Sequence, residues 1–180
     1  MRLFIAIEIP EEIKEYISQI KDSIGNDLAK IRFVGKEKMH LTLKFLGEVQ
    51  SNKAEEVIEE LKKIKFKEFI TCLDSIGIFP NRNYMGVVWI GLKPEDKVIE
   101  LQKGMDEKLE KLFKKEKNFK PHITIGRVKS IQNKNKLMER LRGIKTEKSI
   151  IVINDFRLIK STLARQGPAY ESLYTFNCQL

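Results

Sequence analysis

The stretch His40–Gly47 reads HLTLKFLG, in which polar and apolar side chains alternate. Successive side chains of a β-strand point to opposite faces, so this pattern predicts a half-buried strand over residues 40–46. We expect His40, Thr42 and Lys44 on one face, and the apolar side chains between and after them, including Phe45, on the other. The strand would therefore present an imidazole and a hydroxyl side by side on its polar face.

A second stretch, Pro121–Arg127, reads PHITIGR and repeats the pattern 82 residues further along the chain. Its His122 and the earlier His40 are the only two histidines, and each is followed at the second position by a threonine. Each copy also follows one amphipathic helix pattern and precedes another. The repeat predicts an internal duplication, in which two similar lobes each present one strand to a shared cleft.

The segments around these two stretches alternate between strand and helix patterns. Short apolar or alternating runs predict strands, and apolar residues at helical spacing predict helices that bury one face. Turns are expected around Pro80–Asn83 and Arg165–Gly167. No segment resembles a linker, so we expect a single domain over residues 1–180. The predicted strands are 2–9, 31–34, 40–46, 68–78, 84–92, 122–126, 150–159 and 170–177, and the predicted helices are 11–25, 51–64, 94–112 and 133–142.

Two imidazoles and two hydroxyl groups that converge in one cleft can perform acid–base chemistry at a phosphorus centre. The ordinary pKa of histidine, about 6.5, allows one ring to be neutral while the other is protonated near neutral pH. A general base and a general acid on opposite sides of the phosphorus are what in-line displacement at a phosphodiester needs. The threonines would donate hydrogen bonds to the non-bridging oxygens as charge develops.

Other interpretations of the histidines are weaker. A single histidine on a strand is usually a hydrogen-bonded structural residue, but two matched copies favour catalysis. A zinc site usually needs at least three protein ligands, and the two histidines and two cysteines show no ligand spacing. We therefore expect no metal and no cofactor.

Composition limits the class of protein and its partners. The chain has 34 basic and 25 acidic residues and a net charge of +9, which favours polyanionic partners, although a lysine-rich surface without such a partner has the same composition. No apolar run is long enough to span a membrane, and the N-terminal run lacks the features of a signal peptide. Cys72 and Cys178 are far apart and fit free thiols in a reducing compartment. We expect a cytoplasmic protein without a membrane partner.

The two histidine stretches resemble those of the two-histidine phosphoesterases, and within them the RNA 2′,3′-cyclic phosphodiesterases, also called 2′-5′ RNA ligases. The resemblance extends to the opening RLFIAI, to Val88–Gly91 and to the spacing of Ser161, Gly167 and Tyr170, and so covers essentially the whole chain. It implies an α+β, bilobal, duplicated fold in which two antiparallel sheets face a central cleft and the helices lie outside.

The resemblance also implies roles for five residues. His122 would activate water as proton acceptor, and His40 would protonate the departing 3′ oxygen as proton donor. Thr42, Thr124 and Arg127 would bind phosphate oxygens. Strict alternation, however, places Arg127 on the face opposite His122, so it reaches the cleft only if the strand ends or bulges near Gly126.

The activity implied is metal-independent hydrolysis of RNA 2′,3′-cyclic phosphate ends to 2′-phosphates, with reversible 2′-5′ ligation through the same site. The alternatives are a phosphodiesterase of a small cyclic phosphate and a basic RNA-binding module without catalysis. We expect a monomer that acts on RNA, with tRNA fragments among its substrates. Phe33, Phe45 and Tyr84 are candidates for stacking a base, although packing is the simpler role for each.

Overall fold

The computed structural model describes residues 1–81, 84–146, 149–164 and 167–179. Within these ranges strands and helices alternate in two similar series, and a short 3₁₀ helix, Lys36–Lys38, precedes the third strand. The strands are β1 (Arg2–Glu8), β2 (Ala29–Phe33), β3 (His40–Glu48), β4 (Phe69–Pro80), β5 (Met85–Lys93), β6 (His122–Ile131), β7 (Ile150–Ile153), β8 (Asp155–Ala164) and β9 (Gly167–Asn177), and the helices are α1 (Glu11–Ile24), α2 (Ser51–Leu61), α3 (Asp96–Lys108) and α4 (Lys134–Gly143).

Helix α1 forms where the sequence pattern predicts it. Glu11 and Glu12 lie in its first turn, where acidic groups interact favourably with the helix dipole. Gly25 follows its last residue with a φ of 65°, a left-handed conformation that glycine adopts without steric cost. Its buried apolar stripe consists of Ile13, Ile17, Ile20 and Ile24.

The strands of the described ranges form one curled antiparallel sheet in the order β7-β4-β5-β6-β3-β1-β8-β9, with β2 beside β6. Between β6 and β3 the ladder is reduced to a single pair, Leu41 with Ile123. This point divides the sheet into a first lobe (β3, β1, β8 and β9) and a second lobe (β6, β5, β4, β7 and β2). The predicted duplicated α+β fold is confirmed, and the two antiparallel sheets expected from the sequence are joined by this one pair into a single sheet.

The two halves of the chain repeat one topology and exchange strands. The series β1-α1-β3-α2-β4 corresponds to β5-α3-β6-α4-β8. In each series the last strand pairs with the first strand of the other series. β4 ends the first series and pairs with β5, and β8 ends the second series and pairs with β1. Each lobe is therefore built from both halves of the chain.

The main core and a smaller cluster lie on opposite faces of β1. Leu3, Ile5 and Ile7 belong to the large core that includes the buried faces of the helices. Phe4 and Ala6 point the other way and pack with Ile159 in a separate cluster. Because both faces of β1 are covered, its sequence is a continuous apolar run rather than an alternating one.

Several predicted boundaries shift. Strands β4, β6 and β9 are longer than the sequence patterns suggest, and the single strand predicted over 150–159 is divided into β7 and β8, the second of which extends to Ala164. Part of each turn expected at 80–83 and 165–167 lies outside the described residues, namely Arg82, Asn83, Arg165 and Gln166. Of the helices that can be described, none combines the length and the apolar character needed to cross a lipid bilayer. Cys72 and Cys178 are half-buried free thiols.

Candidate active site

The two histidine motifs meet where β3 and β6 pair. Because the pairing of Leu41 with Ile123 is antiparallel, His40 lies across from Thr124, and Thr42 lies across from His122. The apolar residues of the pair are buried in the core, and the four polar side chains line a cleft on the other face. The structure thus brings together both histidines and both threonines, one of each from either lobe.

A bulge in β6 brings Arg127 onto the same face as His122. Residue Val88 of β5 pairs with Gly126, and the next residue, Trp89, pairs with Thr124, so Ile125 is an extra residue in β6. Ile125 and Gly126 are consequently both buried, and the alternation restarts one position later. Arg127 therefore lines the cleft, because β6 bulges near Gly126, where the sequence predicted the required bulge.

The same bulge occurs in β3, and it overturns the alternation expected there. Ile5 of β1 pairs with Lys44, and Ala6 pairs with Thr42, which leaves Leu43 as the extra residue. Phe45 is 66% exposed and lines the cleft, whereas Lys44 is 2% exposed on the core side. The predicted faces of Lys44 and Phe45 were wrong because simple alternation does not count the extra residue.

Lys44 is tolerated in the core because it forms a buried ion pair. Its ammonium group contacts the Asp106 carboxylate on α3 and donates a hydrogen bond of 2.7 Å to the carbonyl of Lys114. Asp106 also accepts hydrogen bonds of 2.9 Å from the Gln102 amide and from the backbone N–H of Glu116. A buried charge is stable only when it is paired in this way, and the network fixes β3 against α3 behind the cleft.

Each histidine lies between two aromatic rings from its own lobe. The His40 ring centroid is 4.9 Å from that of Phe4 and 5.3 Å from that of Tyr170. The His122 centroid is 4.9 Å from that of Phe79 and 5.9 Å from that of Trp89. These rings restrict the orientation of the imidazoles and remove them partly from water.

The backbone also fixes the two imidazoles in equivalent ways. The Nδ1 atom of His122 lies 2.7 Å from the carbonyl oxygen of Lys120, which can only accept, so Nδ1 carries a proton and Nε2 is left for the cleft. The backbone of Lys38, also two residues before its histidine, forms a hydrogen bond with His40.

Burial makes both histidines weak bases. It lowers the pKa of His40 from 6.5 to about 4. The hydrogen bond to Lys38 and the Glu8 carboxylate act in the opposite direction and raise this pKa, whereas the charge of His122 lowers it. Burial also lowers the pKa of His122, against the hydrogen bond to Lys120, and the ammonium group of Lys120 adds to the lowering. Both rings therefore favour the neutral form when the cleft holds no anion.

The cleft is strongly cationic. It has a volume of about 450 Å³, and no Asp or Glu side chain of the described residues lines it. A volume of this order suits a small ligand or part of a larger one. Its lining includes five basic side chains, namely Arg2, Arg32, Lys38, Arg127 and Lys129.

Sequence reasoning missed several residues of this site. Tyr170 contributed only to the spacing shared with the family and was given no role in the site, yet its ring contacts the His40 ring edge to face. Arg2, Arg32, Lys38 and Lys129 have no motif of their own, and only the pairing of distant strands assembles them. Of the three candidate stacking residues, Phe33 and Phe45 line the cleft and Tyr84 does not. Among the residues that can be described, no three His, Cys, Asp or Glu side chains form a group that could hold a metal ion.

Comparison with known proteins gives matches over the whole chain. A family model for LigT-like phosphoesterases matches residues 7–89 and again residues 90–170, so each half matches separately and contains one histidine motif. An RNA 2′,3′-cyclic phosphodiesterase of Methanocaldococcus jannaschii is 44% identical over 176 residues, which cover 95% of this chain and 97% of the relative. A protein with the same name from Thermotoga maritima is 36% identical over 183 residues, and the alignment covers 99% of this chain and 95% of the relative.

Solved structures give the same result. The crystal structure of E. coli LigT in its apo form has a TM-score of 0.79 and 26% sequence identity, and the alignment covers 99% of this chain and 98% of LigT. LigT complexed with 3′-AMP gives a TM-score of 0.78 at the same identity. The chain belongs to the LigT-like phosphoesterase family.

Proposed function

We propose that the protein hydrolyses 2′,3′-cyclic phosphate ends of RNA to 2′-phosphates, without a metal ion, by general acid–base catalysis with two histidines. The observation that carries this proposal is the antiparallel crossing of β3 and β6, which sets His40 across from Thr124 and Thr42 across from His122 in a cleft without lining carboxylates among the described residues. The names of the relatives from M. jannaschii and T. maritima support the substrate.

His122 is the proton acceptor in this mechanism. Its Nδ1–H is held by the carbonyl of Lys120, so a neutral Nε2 is free to accept a proton from water. The water oxygen attacks the phosphorus of the cyclic phosphate and forms a new P–O bond. The low pKa of the buried ring keeps this histidine neutral and ready to act as a base.

His40 is the proton donor on the opposite side. The bond between phosphorus and the 3′ oxygen breaks, its electron pair stays on that oxygen, and the protonated His40 supplies the proton. The product is a 2′-phosphate with a free 3′-hydroxyl. A bound phosphodiester anion raises the pKa of the His40 ring, since it stabilises the charged form of a ring that burial otherwise keeps neutral.

The remaining cleft residues would bind the substrate. Thr42 and Thr124 donate hydrogen bonds to the non-bridging oxygens, and the Arg127 guanidinium binds a phosphate oxygen as charge develops. The exposed ring of Phe45 offers a surface on which a base can stack. All of these groups belong to one chain, so we propose that residues 1–180 act as one domain and as a monomer.

The test uses a short RNA that ends in a 2′,3′-cyclic phosphate, incubated with the protein in EDTA. We expect the wild type to form a 2′-phosphate, and His40→Ala and His122→Ala to lose at least about a hundredfold in kcat, as removal of a general acid or base does. Lys103→Ala, on the exposed face of α3, is the control and should retain full activity. Circular dichroism checks that each variant is folded.

The outcomes separate the alternatives. Turnover that persists in both histidine variants would contradict the mechanism. If the wild type hydrolyses only small cyclic phosphates, the substrate is a small molecule rather than RNA. If it binds RNA but hydrolyses nothing, the protein is a binding module. Adding an RNA with a 5′-hydroxyl to the same reaction tests 2′-5′ ligation, in which that hydroxyl takes the place of water.

A further inference from the structure

Two arginines face each other across neighbouring strands at one end of the cleft. Arg32 of β2 is the direct partner of Arg127 of β6 in the antiparallel ladder, and both side chains line the cleft. Like charges directly opposite each other destabilise a strand pair. Neither guanidinium forms an ion pair with a carboxylate in the described part of the chain. This arrangement is electrostatically unfavourable until an anion lies between the two groups.

A third cation lies beside Arg32. A Cβ atom built on Gly167, the first residue of β9, would lie 3.4 Å from Lys38 Nζ and 3.8 Å from Arg32 Nη2. Both cationic groups therefore approach the same point at the rim of the cleft. Lys38 has one carboxylate partner among the described residues, Glu37, at 3.4 Å, and the Glu37 side chain is 69% exposed, so the ion pair is weak and leaves Lys38 able to bind a second anion.

Arg32 and Lys38 are distinct from the groups that the proposed function assigns to the cyclic phosphate, although Arg32 is the ladder partner of one of them, Arg127. Along β6 the cleft-facing order is His122, Thr124 and Arg127, and Arg127 is five residues from His122, or about 15 Å in an extended strand. Arg32, as the ladder partner of Arg127, is displaced along β6 from the point where the two histidine motifs meet.

The equivalent position in the other motif is not cationic. The bulges in β3 and β6 place Phe45 and Arg127 at corresponding sites of the two motifs, so one end of the cleft is aromatic where the other is basic. The duplication alone would give a symmetric cleft. The difference gives the cleft a direction, because the motifs themselves place an aromatic ring toward one end and a guanidinium group toward the other.

We propose that Arg32 and Lys38, beside Arg127, form a second phosphate site that binds the 5′-phosphate of the terminal nucleotide while its cyclic phosphate lies between the histidines. In an RNA chain this 5′-phosphate is the diester that links the last two nucleotides. The site would therefore distinguish the end of an RNA from a nucleoside 2′,3′-cyclic phosphate, which has no second phosphate. The inference rests on the proposed function, since it places the cyclic phosphate between His40 and His122.

The experiment compares two substrates that differ only in this group: cytidine 2′,3′-cyclic phosphate and its 5′-phosphorylated form. We expect the wild type to have the higher kcat/KM with the 5′-phosphorylated substrate. Arg32→Gln and Lys38→Gln should each reduce that preference about tenfold, because each removes a charge-assisted contact with one phosphate. Arg142→Gln and Lys103→Gln remove the same charges from exposed positions outside the cleft and should leave the preference unchanged.

Binding measurements keep the inference separate from catalysis. Calorimetry with cytidine 2′-phosphate and cytidine 2′,5′-bisphosphate gives the contribution of the 5′-phosphate even if the protein hydrolyses neither substrate. A wild type that binds both ligands equally, or an Arg32→Gln variant that weakens both equally, would overturn the second site. Absence of turnover together with a 5′-phosphate preference that Arg32→Gln abolishes would overturn the proposed function and support the site.

Discussion

At the residue scale, His40 and His122 have nearly identical local sequences and different surroundings. His40 packs against Phe4 and Tyr170, and His122 packs against Phe79 and lies close to the Lys120 ammonium group. Burial lowers the pKa of both rings, that of His40 to about 4. The aromatic neighbours come from β1, β4 and β9, which lie outside the two motifs, so the motifs alone could not have distinguished the two histidines.

These pKa shifts predict how the rate depends on pH. The productive state needs one neutral and one protonated ring, so kcat/KM should be bell-shaped, with its maximum midway between the two pKa values of the free protein. Both values lie below 6.5, so this maximum should lie below pH 6.5. In the complex the phosphodiester anion raises both pKa values, so the maximum of kcat should lie at higher pH.

The presence of only two histidines allows a direct check by NMR. The C2–H resonance of each ring is titrated in the free protein and with inorganic phosphate, and His40→Gln assigns the two signals. We expect both pKa values below 6.5 in the free protein and an increase in both with phosphate. A pKa above 6.5 for either ring of the free protein would contradict the burial argument, and so would a kcat/KM that rises steadily to alkaline pH.

At the scale of elements, the two bulges decide which side chains reach the cleft. They were only half predictable from the sequence. In β6 the need to bring Arg127 to the cleft pointed to a bulge near Gly126. In β3 the lysine at position 44 fitted a polar face so well that nothing in the alternation suggested an extra residue. The buried partner that Lys44 requires, Asp106, lies 62 residues away, and its role becomes visible only in the fold.

Gly126 is required by the close approach of β2 to β6. A Cβ atom at this position would lie 2.6 Å from Ile31 Cγ2 and 3.2 Å from the backbone oxygen of Arg32. Gly126→Ala must therefore displace β2, and we expect a loss of about 1–3 kcal/mol in the free energy of unfolding. The displacement also moves Arg32 and Arg127, so kcat/KM on RNA should fall.

Urea denaturation measures the change in stability, and Gly104→Ala provides the matched control. Gly104 lies within α3, and a Cβ atom added there would meet no neighbouring atom within 4 Å, so alanine should stabilise the protein by about 0.5–1 kcal/mol through higher helix propensity. A Gly126→Ala protein as stable as the wild type would show that β2 can move away from the bulge without cost.

At the scale of the whole molecule, the duplication and the α+β class could be predicted because they depend on local patterns and on two matched motifs. The exchange of strands could not, because local sequence does not specify which distant strands pair. This exchange makes each lobe depend on both halves of the chain. β4 from the first half completes the lobe of His122, and β8 from the second half completes the lobe of His40.

The exchange predicts that the two lobes unfold together. Each lobe contains a strand from the other half of the chain, so the opening of one lobe also disrupts the other. Equilibrium unfolding should therefore be a single transition. Trp89, the only tryptophan, reports on the second lobe by fluorescence, and the His40 resonance reports on the first lobe by NMR. We expect the same urea midpoint from both probes. A first lobe that loses its native His40 signal at clearly lower urea, while Trp89 fluorescence stays native, would show that the lobes are independent despite the shared strands.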